Sequence, residues 1–134
     1  MVAIFPGSCK KGGVCFAFPD VCKTPVGPSM VPIPYPNFGQ VSGAKKTSKK
    51  VKFVKKEVVT IKSEIPNTNG DEPGVGGGVV SGVQMKKVEY VKCSSKVKAE
   101  GNKVAHLVST TKQNKGNIVG AQIAPSQTKV IVAP

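Results

Sequence analysis

The amino-acid sequence predicts a small, mainly β protein of one domain, and three observations support this prediction. The apolar residues are dominated by 22 valines, with Leu107 as the single leucine, and β-branched side chains favour pleated strands over helices. Fifteen glycines and eleven prolines supply turns between short strands. A strand-turn-strand pattern also occurs twice, 46 residues apart. As one domain, residues 1–134 are enough to bury about two thirds of the unfolded surface.

The first 44 residues are rich in proline, glycine and cysteine. In the stretch CFAFPDVCKTPVGPSMVPIPYPNFGQ, residues 15–40, the prolines are too closely spaced for a helix or a central strand. Val31, Ile33 and Tyr35 each precede a proline, which restricts them to β or polyproline dihedral angles. We therefore expect residues 1–44 to form an extended, ordered ribbon that wraps over the surface of the domain.

Residues 45–134 are predicted to contain repeated β-hairpins. The stretch SKKVKFVKKEVVTIKS (48–63) aligns without gaps to SSKVKAEGNKVAHLVS (94–109), and each predicts two strands joined by a tight turn. The turns fall at VKKE and EGNK, where Gly101 and Asn102 suit a positive φ. Such units stack into repetitive β architectures, and we expect the N-terminal region in the place of a third unit. Chance similarity between two valine- and lysine-rich hairpins is the alternative.

The chain carries a net charge of +13 from twenty lysines and no arginine, against seven acidic residues. A basic nucleic-acid-binding module is one interpretation, but the absence of the arginine fork disfavours it, so no nucleic-acid partner is expected. A lysine-rich surface keeps a β protein soluble and protects its strand edges. Attraction to an acidic partner or a membrane surface is the remaining alternative.

The sequence predicts a protein made in the cytosol. The N-terminal stretch MVAIFPGSCKKGG has neither the basic start nor the apolar run of a signal peptide, and no stretch of about 20 apolar residues could span a bilayer. In that compartment four cysteines favour thiols or metal ligands over disulfides.

Catalysis is not expected. The chain has one histidine and seven acidic residues, in none of the patterns that general acid-base chemistry uses. The glycines of GDEPGVGGGVVSG lack the Gly-Lys-Ser/Thr ending of a phosphate-binding loop. Close backbone packing at a strand junction is the better interpretation of that stretch.

The cysteines are the best candidates for a site. Cys9, Cys15 and Cys22 form a C-x5-C-x6-C array, with Cys93 and the lone His106 far downstream. Zinc takes four nitrogen or sulfur ligands in a tetrahedron, and such a site would join the N-terminal ribbon to the hairpin region. These spacings are longer than those of paired C-x-x-C knuckles, so buried or free thiols and a disulfide stay open as alternatives.

Three stretches, FPDVCKTPVGPSMVPIPYPN, GDEPGVGGGVVSG and IAPSQTKVIV, closely resemble the PAAR-like (Tox-PAAR-like) family of spike-tip proteins of type VI secretion systems and related contractile injection machines. The resemblance implies a β-rich cone that caps and sharpens the trimeric VgrG spike, one tip per trimer, without enzymatic activity. It implies assembly in the bacterial cytoplasm, delivery towards a target cell and transient contact with the target membrane. Docking of effectors is an additional role. Because the chain stops at Pro134, we expect a stand-alone tip without a toxin domain.

The resemblance also implies zinc near the apex of the cone. Better-known PAAR-repeat proteins hold zinc with several histidines and one cysteine, whereas this chain has one histidine, so the implied ligands are mainly cysteines. Cys22 lies inside the family string, and Cys9, Cys15 and Cys93 complete the set by elimination. His106 is the alternate ligand, but it stands where the family motif has its arginine, so packing or solvent exposure is the alternative.

Overall fold

The computed structural model describes residues 4–134, and Met1 to Ala3 of the predicted N-terminal ribbon lie outside the described residues. The prediction of a mainly β protein is confirmed. The strands are β1 (Phe5–Pro6), β2 (Val14–Val26), β3 (Ser29–Gln40), β4 (Ser48–Phe53), β5 (Lys56–Val58), β6 (Glu64–Ile65), β7 (Gly77–Gly78), β8 (Val88–Lys92), β9 (Lys98–Ala99), β10 (Asn102–Lys103), β11 (Thr110–Gln113), β12 (Ile118–Ala124) and β13 (Ile131–Val132). A single 3-10 turn, Val41–Gly43, follows β3, and no helix in this part of the chain is long and apolar enough to cross a membrane.

One antiparallel sheet organises most of the chain, with strand order β3-β2-β12-β11-β8-β6 and β7 paired to β2. The expectation that residues 15–40 exclude a central strand was wrong, because β2 pairs with β3 on one side and with β12 and β7 on the other. Pro19 is accommodated because the register shifts between Ala17 and Asp20, so a bulge removes the need for a ladder donor there.

The second half of the proline-rich stretch behaves as predicted. β3 lies at the edge of the sheet, where Pro32, Pro34 and Pro36 need not donate to a further strand. Residues 4–44 are therefore not a separate ribbon. They supply a long hairpin, of which one strand is inside the sheet and the other covers its edge.

The predicted repeat is confirmed as two short hairpins, β4–β5 and β9–β10. Their turns occur at equivalent positions, 46 residues apart, and both use two residues with positive φ. Val54 and Lys55 have φ of 52° and 68°, whereas Glu100 and Gly101 have φ of 49° and 82°. Gly101 was predicted for this role, but Asn102 instead begins β10.

A third hairpin-like unit completes the set, and it is made from both ends of the described chain. β13 pairs antiparallel with β1, with Phe5 opposite Val132. In the first two units the corresponding pairs are Phe53–Lys56 and Ala99–Asn102. The N-terminal region thus contributes only one strand to the third unit, while its proline-rich stretch belongs to the main sheet.

Two apolar cores lie within the fold. The first core lies beneath the main sheet and consists of Cys15, Val41, Ala44, Val59, Ile65, Val88, Tyr90, Cys93 and Ala105. The second core lies among the three hairpin units and consists of Cys9, Phe53, Val58, Ala99, Val104 and Val132.

Candidate functional site

Three buried segments meet in a closed ring of backbone hydrogen bonds. The N–H of Ser8 donates to the carbonyl of Ala105 at 2.8 Å, Ala105 donates to Val59 at 2.9 Å, and Val59 donates back to Ser8 at 3.0 Å. None of these residues is exposed to solvent. Each segment therefore stands in the same relation to the next, which defines a pseudo-threefold axis.

A second set of bonds has the same threefold symmetry, and its donors, two residues further along each segment, bond the other neighbouring segment. Lys10 donates to the carbonyl of Glu57 at 3.0 Å, Ile61 to Lys103 at 2.8 Å and Leu107 to Pro6 at 2.9 Å. The bridges Cys9–Val58, Thr60–Val104 and Gly7–His106 are also equivalent. With an offset of 51 and then 46 residues between units, the three segments 6–10, 57–61 and 103–107 are related by the pseudo-threefold axis.

Side-chain volume is balanced around this axis. The ring of Phe53 occupies the position that a Cβ on Gly7 would take, and Gly7 is the equivalent of Val58 and Val104. The equivalents of Phe53 are the smaller Ala99 and Val132. One large side chain is thus matched by one missing side chain, which keeps the second core filled without distorting the symmetry.

The end of the molecule formed by the three hairpin units, which we call the threefold end, repeats one burial pattern. Residues 48–53, 94–99 and 127–132 each run buried, exposed, exposed, half-buried, exposed, buried. The first residue of each unit caps the turn that follows it. Ser48 accepts from the N–H of Val51, Ser94 from those of Lys96 and Val97, and Gln127 from those of Lys129 and Val130.

The far end of the β2–β3 hairpin exposes a group of large apolar side chains, which we call the apolar tip: Val26, Met30, Val31, Val75, Val79 and Val80. The loop that carries the last three lies on β2, since the N–H of Gly76 donates to Lys23 at 2.8 Å and that of Val79 to Val21 at 3.0 Å. β2 begins near the ring and ends at this tip. Its 13 residues place the two ends on the order of 40 Å apart, at about 3.3 Å per residue.

The glycines of residues 70–82 allow this loop to pack closely, as predicted. A Cβ on Gly74 would overlap Cys22, one on Gly76 would overlap Met30, and one on Gly78 would overlap Asn117. The stretch therefore serves backbone approach at a strand junction rather than phosphate binding.

A buried polar cluster lies beneath this loop, centred on Asp20. The carboxylate accepts hydrogen bonds from Nδ2 of Asn37 at 3.2 Å, of Asn114 at 3.2 Å and of Asn117 at 2.5 Å. The cluster connects β2, β3 and the turn between β11 and β12. A buried carboxylate is tolerated only when such donors surround it.

Backbone groups fix the orientation of two of these amides. The N–H groups involved are those of Lys86, which donates to Asn114 at 3.1 Å, and of Val80 and Ser81, which donate to Asn117 at 2.9 and 3.1 Å. A backbone N–H can only donate, so the side-chain atom of each asparagine that faces these N–H groups must be the amide oxygen. The NH₂ groups of Asn114 and Asn117 must therefore face Asp20.

Cys22 and Asp71 complete the cluster. The thiol of Cys22 donates to Oδ1 of Asp20 and to Oδ2 of Asp71, both at 3.7 Å, and Asp71 also accepts from the N–H of Met85 at 3.1 Å. Burial, aided by the hydrogen bond to Asp20, raises the pKa of Asp71 to about 7. Burial and the two neighbouring carboxyl groups raise the pKa of Cys22 to about 12, so it is a thiol and not a thiolate at neutral pH.

The cluster does not fit the zinc ion that the resemblance implies. Asp20, Cys22 and Asp71 are the only three potential ligands within residues 4–134 whose ligand atoms lie within 4.8 Å of one another. A metal needs free lone pairs, but Nδ2 of Asn114 approaches both Asp20 and, at 3.8 Å, the sulfur of Cys22. A cation at this position would face amide protons as well as oxygens.

The five predicted ligands are not brought together. Cys22 lies in the polar cluster, Cys15 and Cys93 lie in the first core, and Cys9 lies in the second core. Burial raises the pKa of Cys15 to about 11 and that of Cys93 to about 12. The alternative of buried thiols describes these positions, and zinc binding itself stays a prediction.

His106 packs inside the fold, as the alternative to ligation anticipated. Its ring stacks on Phe5 with centroids 5.1 Å apart, and Nδ1 lies 2.6 Å from the carbonyl oxygen of Leu107. The residue is 6% exposed. Its backbone belongs to the threefold ring segments, so its position follows from that symmetry.

Comparison with known proteins decides the family. The model of the family described as "Toxin PAAR-like domain" matches residues 13–120. The chain belongs to this family. It is also 36% identical over 122 residues to the DNase toxin Tse7 of Pseudomonas aeruginosa, a match that covers 84% of this chain and 32% of that protein. The chain thus spans about a third of the length of this relative, and no solved structure matches it.

The family stretch contains the whole polar cluster, whereas β1 and β13 lie outside it. Sequence reasoning identified only Cys22 among the cluster residues. Asp20 and Asn37 lie in the string that carried the resemblance, and Asp71 lies in the glycine-rich string, so the family strings were the available signal. Asn114 and Asn117 gave none, since polar residues in a turn are ordinary.

Proposed function

We propose that this PAAR-like chain is a non-enzymatic tip that caps the trimeric VgrG spike of a type VI secretion system, with one chain per trimer. The observation that supports this proposal most directly is the closed three-way ring of Ser8, Val59 and Ala105. A monomer can contact three identical subunits in the same way only if it carries three equivalent units around an axis, and this chain has such units.

The threefold end is the surface that we assign to the spike. It is the part of the molecule where all three units recur with the same burial and the same capped turns. The apolar tip, at the other end of β2, then points away from the spike. In this orientation the chain assembles on the spike in the bacterial cytoplasm and is carried, tip first, towards the target cell.

Effector docking is a second role, and the apolar tip favours it. Six large apolar residues are exposed there, and the exposed fraction of each lies between 37% and 75%. Such patches are typical of protein or membrane contacts. The test is to delete the protein from the bacterium. If delivery of one effector stops while the apparatus still fires, effector docking rather than capping is its main role.

The DNase activity named for Tse7 is not part of the proposal. The match covers 32% of that protein, and the polar cluster of the present chain is buried with its carboxyl groups hydrogen-bonded to neighbouring side chains. It offers no carboxylate to a substrate in solvent. We therefore propose that residues 4–134 cap the spike and help to carry effectors, and that they do not cleave DNA.

Native mass spectrometry of the full chain mixed with the trimeric spike protein tests the proposal. We expect a complex of one chain per trimer that survives moderate salt, because apolar contacts contribute to it. Two or three chains per trimer, or no complex, would contradict capping. Tight DNA binding that weakens steeply with salt would instead favour the nucleic-acid-binding alternative.

A further inference from the structure

Three lysines occupy equivalent positions at the threefold end. Lys50, Lys96 and Lys129 each follow the buried capping residue by two positions, and each is exposed. The units have little else in common at exposed positions: Lys49 corresponds to Ser95 and Thr128, and Lys52 corresponds to Lys98 and Ile131. Lysine at all three places is therefore a threefold feature within a surface whose other exposed positions vary.

These lysines are carried by turns that the fold holds in place. Gln127 accepts from the N–H of Lys129 at 2.7 Å, and Ser94 accepts from that of Lys96 at 3.2 Å. The N–H of Lys50 donates to the carboxylate of Glu100 in the neighbouring unit at 3.1 Å. Fixed backbone at each lysine reduces the freedom that binding would remove.

An apolar centre accompanies the lysines. The next residue in each unit is a valine, and Val51, Val97 and Val130 are all half-buried against the second core. Each unit thus presents an exposed lysine followed by a partly exposed valine. An apolar centre with a polar rim is the usual composition of a protein interface.

We propose that Lys50, Lys96 and Lys129 bind acidic side chains, one on each subunit of the trimeric spike, while Val51, Val97 and Val130 contact an apolar centre on the same surface. This inference rests on the proposed function and specifies its contacts. None of the three lysines forms an ion pair with another of the described side chains, so their charges are available to a partner.

The arrangement favours a protein partner over the other anions that a basic surface attracts. Nucleic acid and membrane surfaces have no threefold axis, and neither would select one lysine per unit while leaving the adjacent positions variable. Charge pairs at a rim govern orientation and association rate more than total affinity. The lysines would therefore set the rotation of the chain on the spike.

The test compares two triple variants of the full chain. The first carries Lys50→Gln, Lys96→Gln and Lys129→Gln. The matched control carries Lys86→Gln, Lys92→Gln and Lys112→Gln, which removes the same charge from exposed positions outside the three units. Binding to the purified spike trimer is measured by calorimetry at low and at moderate salt, and thermal melting verifies that each variant is folded.

We expect the first variant to bind at least about tenfold more weakly at low salt, from three exposed pairs of modest strength, and with a shallower salt dependence. The control should bind like the wild type. Equal weakening in both variants, or none in the first, would overturn the lysine proposal while leaving capping intact. A wild-type chain that fails to bind the trimer would overturn the proposed function as well.

Discussion

Replacing Asn117 by alanine should destabilise the protein more than any exposed substitution, because this side chain connects the polar cluster to the loop of the apolar tip. Its NH₂ group donates to Asp20 and, at 3.1 Å, to the carbonyl of Val21. Its oxygen accepts from the N–H groups of Val80 and Ser81. Alanine removes all four hydrogen bonds.

The loss in the free energy of unfolding depends on whether each former partner of Asn117 can form a hydrogen bond to water instead. Val80 is 75% exposed, so its N–H and that of neighbouring Ser81 regain water at little cost. Asp20 is fully buried and loses a charge-assisted bond of about 2 kcal/mol, and Val21 loses a neutral bond of about 1 kcal/mol. The expected loss is about 3 kcal/mol in the free energy of unfolding, or about 10 °C in Tm for a domain of this size.

Urea unfolding followed by far-ultraviolet circular dichroism measures this loss, since the chain has no tryptophan. Asn67→Ala is the matched control, because Asn67 is exposed and should change the free energy of unfolding by less than about 0.5 kcal/mol. If Asn117→Ala lost no more than the control, the cluster would not be a stabilising element and the reasoning would be refuted.

Two further predictions concern the same cluster. Because the pKa of Asp71 is raised to about 7, the folded state holds a proton that the unfolded state releases near pH 4, so this contribution to stability is present below about pH 4 and is lost as pH rises to about 7. Urea midpoints should show that decline in the wild type and lack it in Asp71→Asn; a rise over this range in the wild type alone would contradict the assignment. The zinc predicted from the family resemblance is tested by elemental analysis of the purified chain; because amide donors surround Asp20, we expect less than one ion per chain, unchanged in Cys22→Ser. One zinc per wild-type chain, absent from that variant, would show that the amide donors rearrange to admit a metal.

The sequence allowed prediction of the fold class and two of the three hairpin units, because these depend on local pattern. Valine-rich strands and the shared Lys-Val-Lys stretches are visible without any tertiary contact. The third unit was not predicted, because its strands, β1 and β13, are separated by most of the chain. Only the dipeptide Lys129-Val130 repeats the pattern of the first two, and two residues are too few to identify a hairpin.

The candidate site was predictable only in part, for a similar reason. Cys22 stood out because cysteine is rare and chemically distinctive, whereas Asn114 and Asn117 act through contacts with Asp20 that lie more than 90 positions away. The prediction that β2 could not be central failed because a bulge at Ala17 to Asp20 accommodates Pro19. Long-range contacts and local irregularities of this kind have no periodic signature.

The pairing of β13 with β1 has a consequence for the order in which the chain folds. More than 120 residues separate Phe5 from Val132, so this contact closes a far longer loop than the turns of the other two hairpin units do. We therefore expect the third unit to form last. Until it forms, Phe5 has no strand opposite it, and a variant shortened before residue 127 would keep the strands of the main sheet but lack a complete threefold end.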